Sequence, residues 1–189
     1  FTDSIDVARK ALDATIAVGM RSAEGHARNT LGCSLAMVGD VDAGSTELRE
    51  AIRIARERDD DVDLADGYTN FADMLHIMGR SQEALELAEE GRAEFAERRP
   101  IAIMWLDALL AEILLDMGEL DKAAARLPDP LRYTGGHVRV NLGLRRAQLM
   151  LCRGEHDAAR NLLRELDEMI ADSSEPQLIG PLAVMLAEQ

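Results

Sequence analysis

Aromatic side chains make up only 3% of these 189 residues, although apolar residues of all kinds reach 47%. A core must therefore be filled by Leu, Ala, Ile, Val and nine Met rather than by rings. Runs of β-branched residues are nearly absent while Ala, Leu, Glu, Arg and Met abound, so the chain reads as all-α. Basic residues are also short: the net charge is −14, which argues against a grip on phosphate backbones or on an anionic membrane surface. No apolar stretch approaches the ~20 residues of a spanning helix, and no leader pattern is visible. The two cysteines, Cys33 and Cys152, lie far apart and outside any close-spaced Cys/His cluster. That fits a reducing, cytoplasmic compartment and gives no metal site.

Chemistry-bearing motifs are equally sparse. G-x-S-x-G, H-E-x-x-H and Cys-x-x-Cys do not occur. The nearest phosphate-loop lookalike, "GMRSAEGH" (19–26), lacks the glycine spacing and the Lys-Ser/Thr ending. The acidic run "DDDVD" (59–63) has Leu64 and Asn70 where a calcium loop starting at Asp59 needs Gly and Glu, and reads as a solvated loop between helices. His26, His76, His137 and His156 are scattered, and Cys33 near His26 and Asn29 has no oriented base. The expectation is a segment with no catalysis and no cofactor.

What is present is a repeat. Gly39, Gly79, Gly118 and Gly154 are spaced by 40, 39 and 36 residues. Superposed on these glycines, Gly32, Ala72, Ala111 and Ala147 stand seven before, and Leu35, Leu75, Leu114 and Met150 four before. Gly44, Ala84, Ala123 and Ala159 stand five after, and Leu48, Ala88, Leu127 and Leu163 nine after. Two helices approach closely only where both present small side chains, so the small columns mark crossings and the Leu/Met columns fill the space around them. Each anchor glycine ends a first helix in the left-handed conformation, and Asp42, Ser81, Asp121 and Asp157 are expected to cap the next.

Helix pairs are thus predicted at 24–38 with 41–58, 62–78 with 81–97, 100–117 with 120–132, and 137–153 with 156–171. Residues 4–20 read as a second helix and 176–189 as a first helix, each without its partner. In domain terms this is one array: a half repeat at 1–23, repeats at 24–61, 62–99, 100–136 and 137–175, and a half repeat at 176–189. Pro128 and Pro130 in "LPDPLRYTGGH" (127–137) should shorten the third second helix. Solenoids need polar terminal faces, yet Leu178, Ile179, Leu182, Met185 and Leu186 make the last helix apolar. A fragment of a longer chain is expected, with dimer formation through this exposed helix.

The segments "LGCSL" with "GDVDAG", "FADMLHIMGRSQEALELAEEG" and "LLAEILLDMGELDKAAARL" resemble tetratricopeptide repeats across essentially the whole chain. The usual aromatic positions hold Leu or Ala, a departure from that pattern. The resemblance implies a right-handed α-solenoid of about ten helices. "EAIRIARERDDDVDLADGYTNFADMLHIMGRSQEALELAEEG" and "SSEPQLIGPLAVMLAEQ" are similar to the helical region of large LuxR-type bacterial transcriptional regulators. That likeness implies a signal-transduction ATPase before the repeats and a helix-turn-helix DNA-binding domain after them, with the repeats sensing an inducer or partner and aiding oligomerisation. The alternatives are a repeat adaptor or scaffold, or the helical tail of a signalling ATPase or cyclase. An enzyme is the weakest reading.

The candidate site is the concave groove lined by first helices. His26, Asp66, Trp105 and Asn141 stand thirteen before the anchors, Asn29, Thr69, Ala108 and Leu144 ten before, and Cys33, Asp73, Glu112 and Gln148 six before. His76 shares the face of Asp73. This face is polar and reads as free of Lys and Arg, with Trp105 central. It should take a protein or a small inducer, neutral or basic, in preference to an acidic peptide, and neither nucleic acid nor membrane.

Overall fold

The computed structural model describes residues 2–96, 100–127, 136–171 and 173–187. These hold ten α-helices: α1 Thr2–Ala17, α2 Arg21–Met37, α3 Val41–Glu57, α4 Asp61–Ile77, α5 Ser81–Glu94, α6 Pro100–Asp116, α7 Leu120–Arg126, α8 Gly136–Cys152, α9 His156–Met169 and α10 Pro176–Ala187. Consecutive antiparallel helices pack in pairs, as a helical-repeat solenoid requires. By its internal packing the chain falls into two units, 1–106 and 107–189.

One turn recurs at the anchors. Gly39, Gly79, Gly118 and Gly154 all have positive φ, from +76° to +96°. The N–H after each donates to the carbonyl of the residue four before the anchor, as in Asp40 to Leu35 at 3.0 Å and Arg80 to Leu75 at 2.8 Å. This is the Schellman arrangement, which satisfies carbonyls left open at a helix end. The same device ends α1 at Gly19 and α3 at Asp59, whose φ is +53°. A search for glycine alone passes over Asp59, yet Asp tolerates this conformation far better than a bulky residue does.

Helix starts differ from the expectation. Asp40 and Asp60 are the residues whose side chains cap, accepting from Ala43 N–H at 3.3 Å and Asp63 N–H at 3.2 Å. Asp42, Ser81, Asp121 and Asp157 lie inside the first turn instead, because the three-residue link starts each helix earlier. The acidic ones there still favour the positive helix end. Likewise only Asp59 and Asp60 of the acidic run belong to the link, Asp61 to Asp63 forming the first turn of α4. Helix α7 ends at Arg126, short of the expected 132; most of the irregular 127–137 stretch lies outside the described residues.

In the first unit the crossing of α2 and α3 is backbone on backbone. A Cβ on Gly32 would lie 2.8 Å from the Gly44 carbonyl oxygen, and one on Gly44 would lie 2.6 Å from that of Gly32. The core of this unit includes Leu48, which meets Gly32, and Ile54, Leu64, Tyr68, Phe71 and Phe95, all essentially fully buried. In the second unit Val140, Leu144, Ala147, Leu163, Leu166, Ile170, Leu178 and Leu182 form one cluster. Ala84, Ala111, Ala123 and Ala147 are fully buried, as the columns require. The expectation of an apolar face exposed along α10 is corrected in part: Leu178 and Leu182 pack inward on α8 and α9, leaving Ile179 and Val184 exposed.

Candidate functional site

Side chains of α2 and α4 meet here, the equivalents His26 and Asp66 lining one cavity. His26 Nε2 lies 3.1 Å from Asp63 Oδ1, and His26, Asn29, Asp63 and Asp66 line one small cavity of about 10 Å³. Asn29 Oδ1 is buried there with no hydrogen-bond partner. Desolvation pushes the Asp63 carboxyl up, His26 opposing and Asp60 assisting. The Asp66 carboxyl is also raised, by desolvation and then by repulsion from Asp63. Seven residues along, burial raises the Cys33 thiol and the negative charge of Asp73 raises it further. Thr69 is half-buried on the same helix, and His76 Nδ1 lies 3.0 Å from Ser81 Oγ at the start of α5. Trp105 is half-buried on α6.

The second unit joins the equivalents Glu112 and Gln148 through a cation. Arg145 Nη2 lies 2.8 Å from Glu112 Oε1, and its Nη1 donates to Gln148 Oε1 at 3.3 Å. Asn141 is half-buried on the same helix, α8. The expectation that the first-helix face lacks Lys and Arg therefore fails in this unit. Arg145 stands nine before its anchor, where the other repeats hold Thr30, Asn70 and Leu109, so the columns chosen from sequence skip it. A long side chain then reaches across its neighbours. The anionic character of the face belongs to the first unit, at Asp63, Asp66 and Asp73.

Sequence reasoning missed another column, eleven before each anchor: Arg28, Tyr68, Asp107 and Gly143. Each meets the second helix of its own pair. Arg28 reaches Glu47 at 2.6 Å while also holding the buried Glu24 at 3.0 Å. Tyr68 Oη lies 2.8 Å from Glu90 Oε1 and 2.7 Å from Glu94 Oε2, and accepts from Arg56 Nη2 at 2.6 Å. Asp107 lies 4.0 Å from Arg126, and a Cβ on Gly143 would strike Leu166 at 2.8 Å. Burial and then the hydrogen bonds to Glu94 and Glu90 hold the Tyr68 phenol far above its ordinary value, so it stays protonated and donates. The residue type changes at every repeat, so no similarity search along this column would have found it.

Above Tyr68 and Phe71 opens a cleft of about 450 Å³, walled by α3 and α5 and floored by α4. Arg49 lies over the Phe71 ring with Cζ 5.1 Å from its centroid. No group of three or more His, Cys, Asp or Glu able to hold a metal ion occurs among the described residues, and no described helix is long and apolar enough to cross a membrane. No protein-family model matches the chain, and no curated protein matches it either.

Proposed function

We propose that this chain is a non-catalytic, tetratricopeptide-like binding segment whose first-helix face takes a protein partner or a small inducer. The observation that supports it most is the coupling of equivalent positions on successive first helices: His26 and Asp66 line one cavity, and Glu112 is joined to Gln148 by Arg145. Within each unit, a polar face of this kind suits recognition of a ligand laid across adjacent first helices. On this reading, and on the sequence likeness, the segment works in the bacterial cytoplasm as the sensing and oligomerisation region of a LuxR-like regulator. ATPase and helix-turn-helix modules of the parent chain would supply nucleotide and DNA binding. An adaptor role would use the same face without those modules.

Negative charge at Asp63, Asp66 and Asp73 favours a basic or neutral ligand over an acidic one. The test is a binding screen by fluorescence polarisation with basic, neutral and acidic peptides, repeated on Asp73→Ala and Trp105→Ala. Basic or neutral peptides should bind best and weaken in both variants. Preferred binding of an acidic peptide, or a ligand indifferent to both substitutions, would remove the assignment. Self-association through α10 is also proposed, now by way of Ile179 and Val184, which are 40% and 57% exposed. Sedimentation should show a dimer that Ile179→Ser with Val184→Ser dissolves; a dimer that survives the double change must use another surface.

A further inference from the structure

The cleft between α3 and α5 lies on second helices and is separate from the first-helix face. Its walls carry opposite charge: Arg49 and Arg56 come from α3, Glu83, Glu86 and Glu90 from α5, with Glu83 already held by Arg80 at 2.7 Å. At one end the walls are tied together, Arg56 reaching Glu94 at 2.9 Å and both meeting the Tyr68 hydroxyl. At the other end they are not. Arg49 makes no ion pair among the described residues and rests on the Phe71 ring, its guanidinium edge open to solvent. On the α5 wall Glu86 is exposed and, among the described residues, accepts only from the neutral Gln82 amide, at 2.8 Å. Between them lie the apolar atoms of Phe71, Leu75 and Leu87.

Two exposed opposite charges, neither in an ion pair among the described residues and set on either side of an apolar floor, describe the ligand by complement. A guanidinium stacked on a ring keeps its N–H fork for a carboxylate. A carboxylate such as that of Glu86 takes an ammonium or guanidinium. Arg49 and Arg56 are seven residues apart on one helix, so the walls run roughly 10 Å, the length of two helical turns. We propose that this cleft is a docking surface for an amphipathic helix of a partner protein, one with an acidic edge, an apolar stripe and a basic edge. The acidic edge meets Arg49, the stripe lies on Phe71, Leu75 and Leu87, and the basic edge meets Glu86.

The test uses three fluorescein-labelled synthetic helical peptides sharing one Leu stripe. One carries Glu on one edge and Lys on the other, the second Lys on both, the third Glu on both. By polarisation the mixed peptide should bind the 189-residue chain tightest, by roughly fivefold over either single-sign peptide, the scale of one exposed ion pair. Arg49→Glu should transfer the preference to the Lys peptide, and Glu86→Lys to the Glu peptide. The double variant should restore the mixed preference, because a helix can lie in the reverse direction. Both residues are exposed, so an unchanged thermal midpoint certifies the fold of each variant. Asp73→Ala, on the first-helix face, should leave the ranking as it is. The proposal is overturned if no peptide binds, if the ranking is the same in all variants, or if Asp73→Ala abolishes binding.

Discussion

The two units end their helices with one turn and cross them at one column, yet they fill the space around the crossing differently. The first brings Gly32 and Gly44 into backbone contact, holds the buried Ala72 and Ala84 in its next pair, and buries three rings there, Tyr68, Phe71 and Phe95. It also runs a charged thread, Glu24 to Arg28 to Glu47, between α2 and α3. The second places Ala147 and Ala159 at the equivalent positions, both fully buried, with Ala147 in an aliphatic cluster. The requirement at the crossing is smallness, and how small depends on what surrounds it. The glycine pair is closed beyond its backbone contact by charge, Arg28 to Glu47, whereas the next pair, with Ala72 and Ala84 buried, is closed by Tyr68 packing on Gly91.

That difference can be broken by exchanging the residues. In Gly44→Ala the new methyl would sit 2.6 Å from the Gly32 carbonyl oxygen and 3.2 Å from Ala36 Cβ, so backbone must move. Helix propensity alone would favour Ala by ~1 kcal/mol, but overpacking costs ~1–3 kcal/mol, and the variant should be less stable than the parent. Ala159→Gly should also lose ~1 kcal/mol, for the opposite reason: a weaker helix former and a small void. Urea unfolding of both variants measures this. A rise in midpoint for Gly44→Ala would mean that α2 and α3 do not touch where the two glycines stand.

Much of this architecture was legible because it rests on residues that only a few types can replace. The anchor glycines and the small columns gave both ends of nine of the ten described helices to within three residues, since a left-handed turn and a close crossing each admit a short list of side chains. Asp59 escaped because a second residue type can adopt the same turn. The caps were misplaced by one or two positions because acidic residues occupy both the cap and the first turn of these helices. The first-helix face was legible as columns but not in its charge, since Arg145 reaches it from a column that is uncharged in the other repeats. The column of Arg28, Tyr68, Asp107 and Gly143, and with it the cleft over Tyr68, was invisible for a related reason: a geometric role filled by four unlike residues leaves no pattern in sequence.

The charged thread of the first unit gives the comparison its smaller and finer test, through pH. Glu24 is almost wholly buried. Burial by itself would raise its carboxyl, but hydrogen bonds from Arg21 at 2.6 Å and Arg28 at 3.0 Å outweigh that and hold it below the ordinary 4.5. A carboxyl lowered on folding contributes stability that is fully present above 4.5 and disappears as pH falls through the folded value. Glu24→Gln should therefore cost ~1–2 kcal/mol at neutral pH, the scale of hydrogen bonds between charged groups, and the gap to the parent should close in acid below 4.5. Asp66 has the opposite sign. Its carboxyl is raised above 3.8 by desolvation and then by Asp63, so its ionised form is a small penalty at neutral pH that vanishes as pH falls to 3.8. Asp66→Asn should match the parent or exceed it by no more than ~0.5 kcal/mol at neutral pH, as befits an exposed position, and lose that margin in acid. Thermal midpoints of the three proteins from pH 7 to about 3 would show one variant approaching the parent from below and the other from above. If Glu24→Gln stayed equally destabilised down to the lowest pH, the thread would be holding α2 to α3 by packing of its side-chain stems rather than by charge.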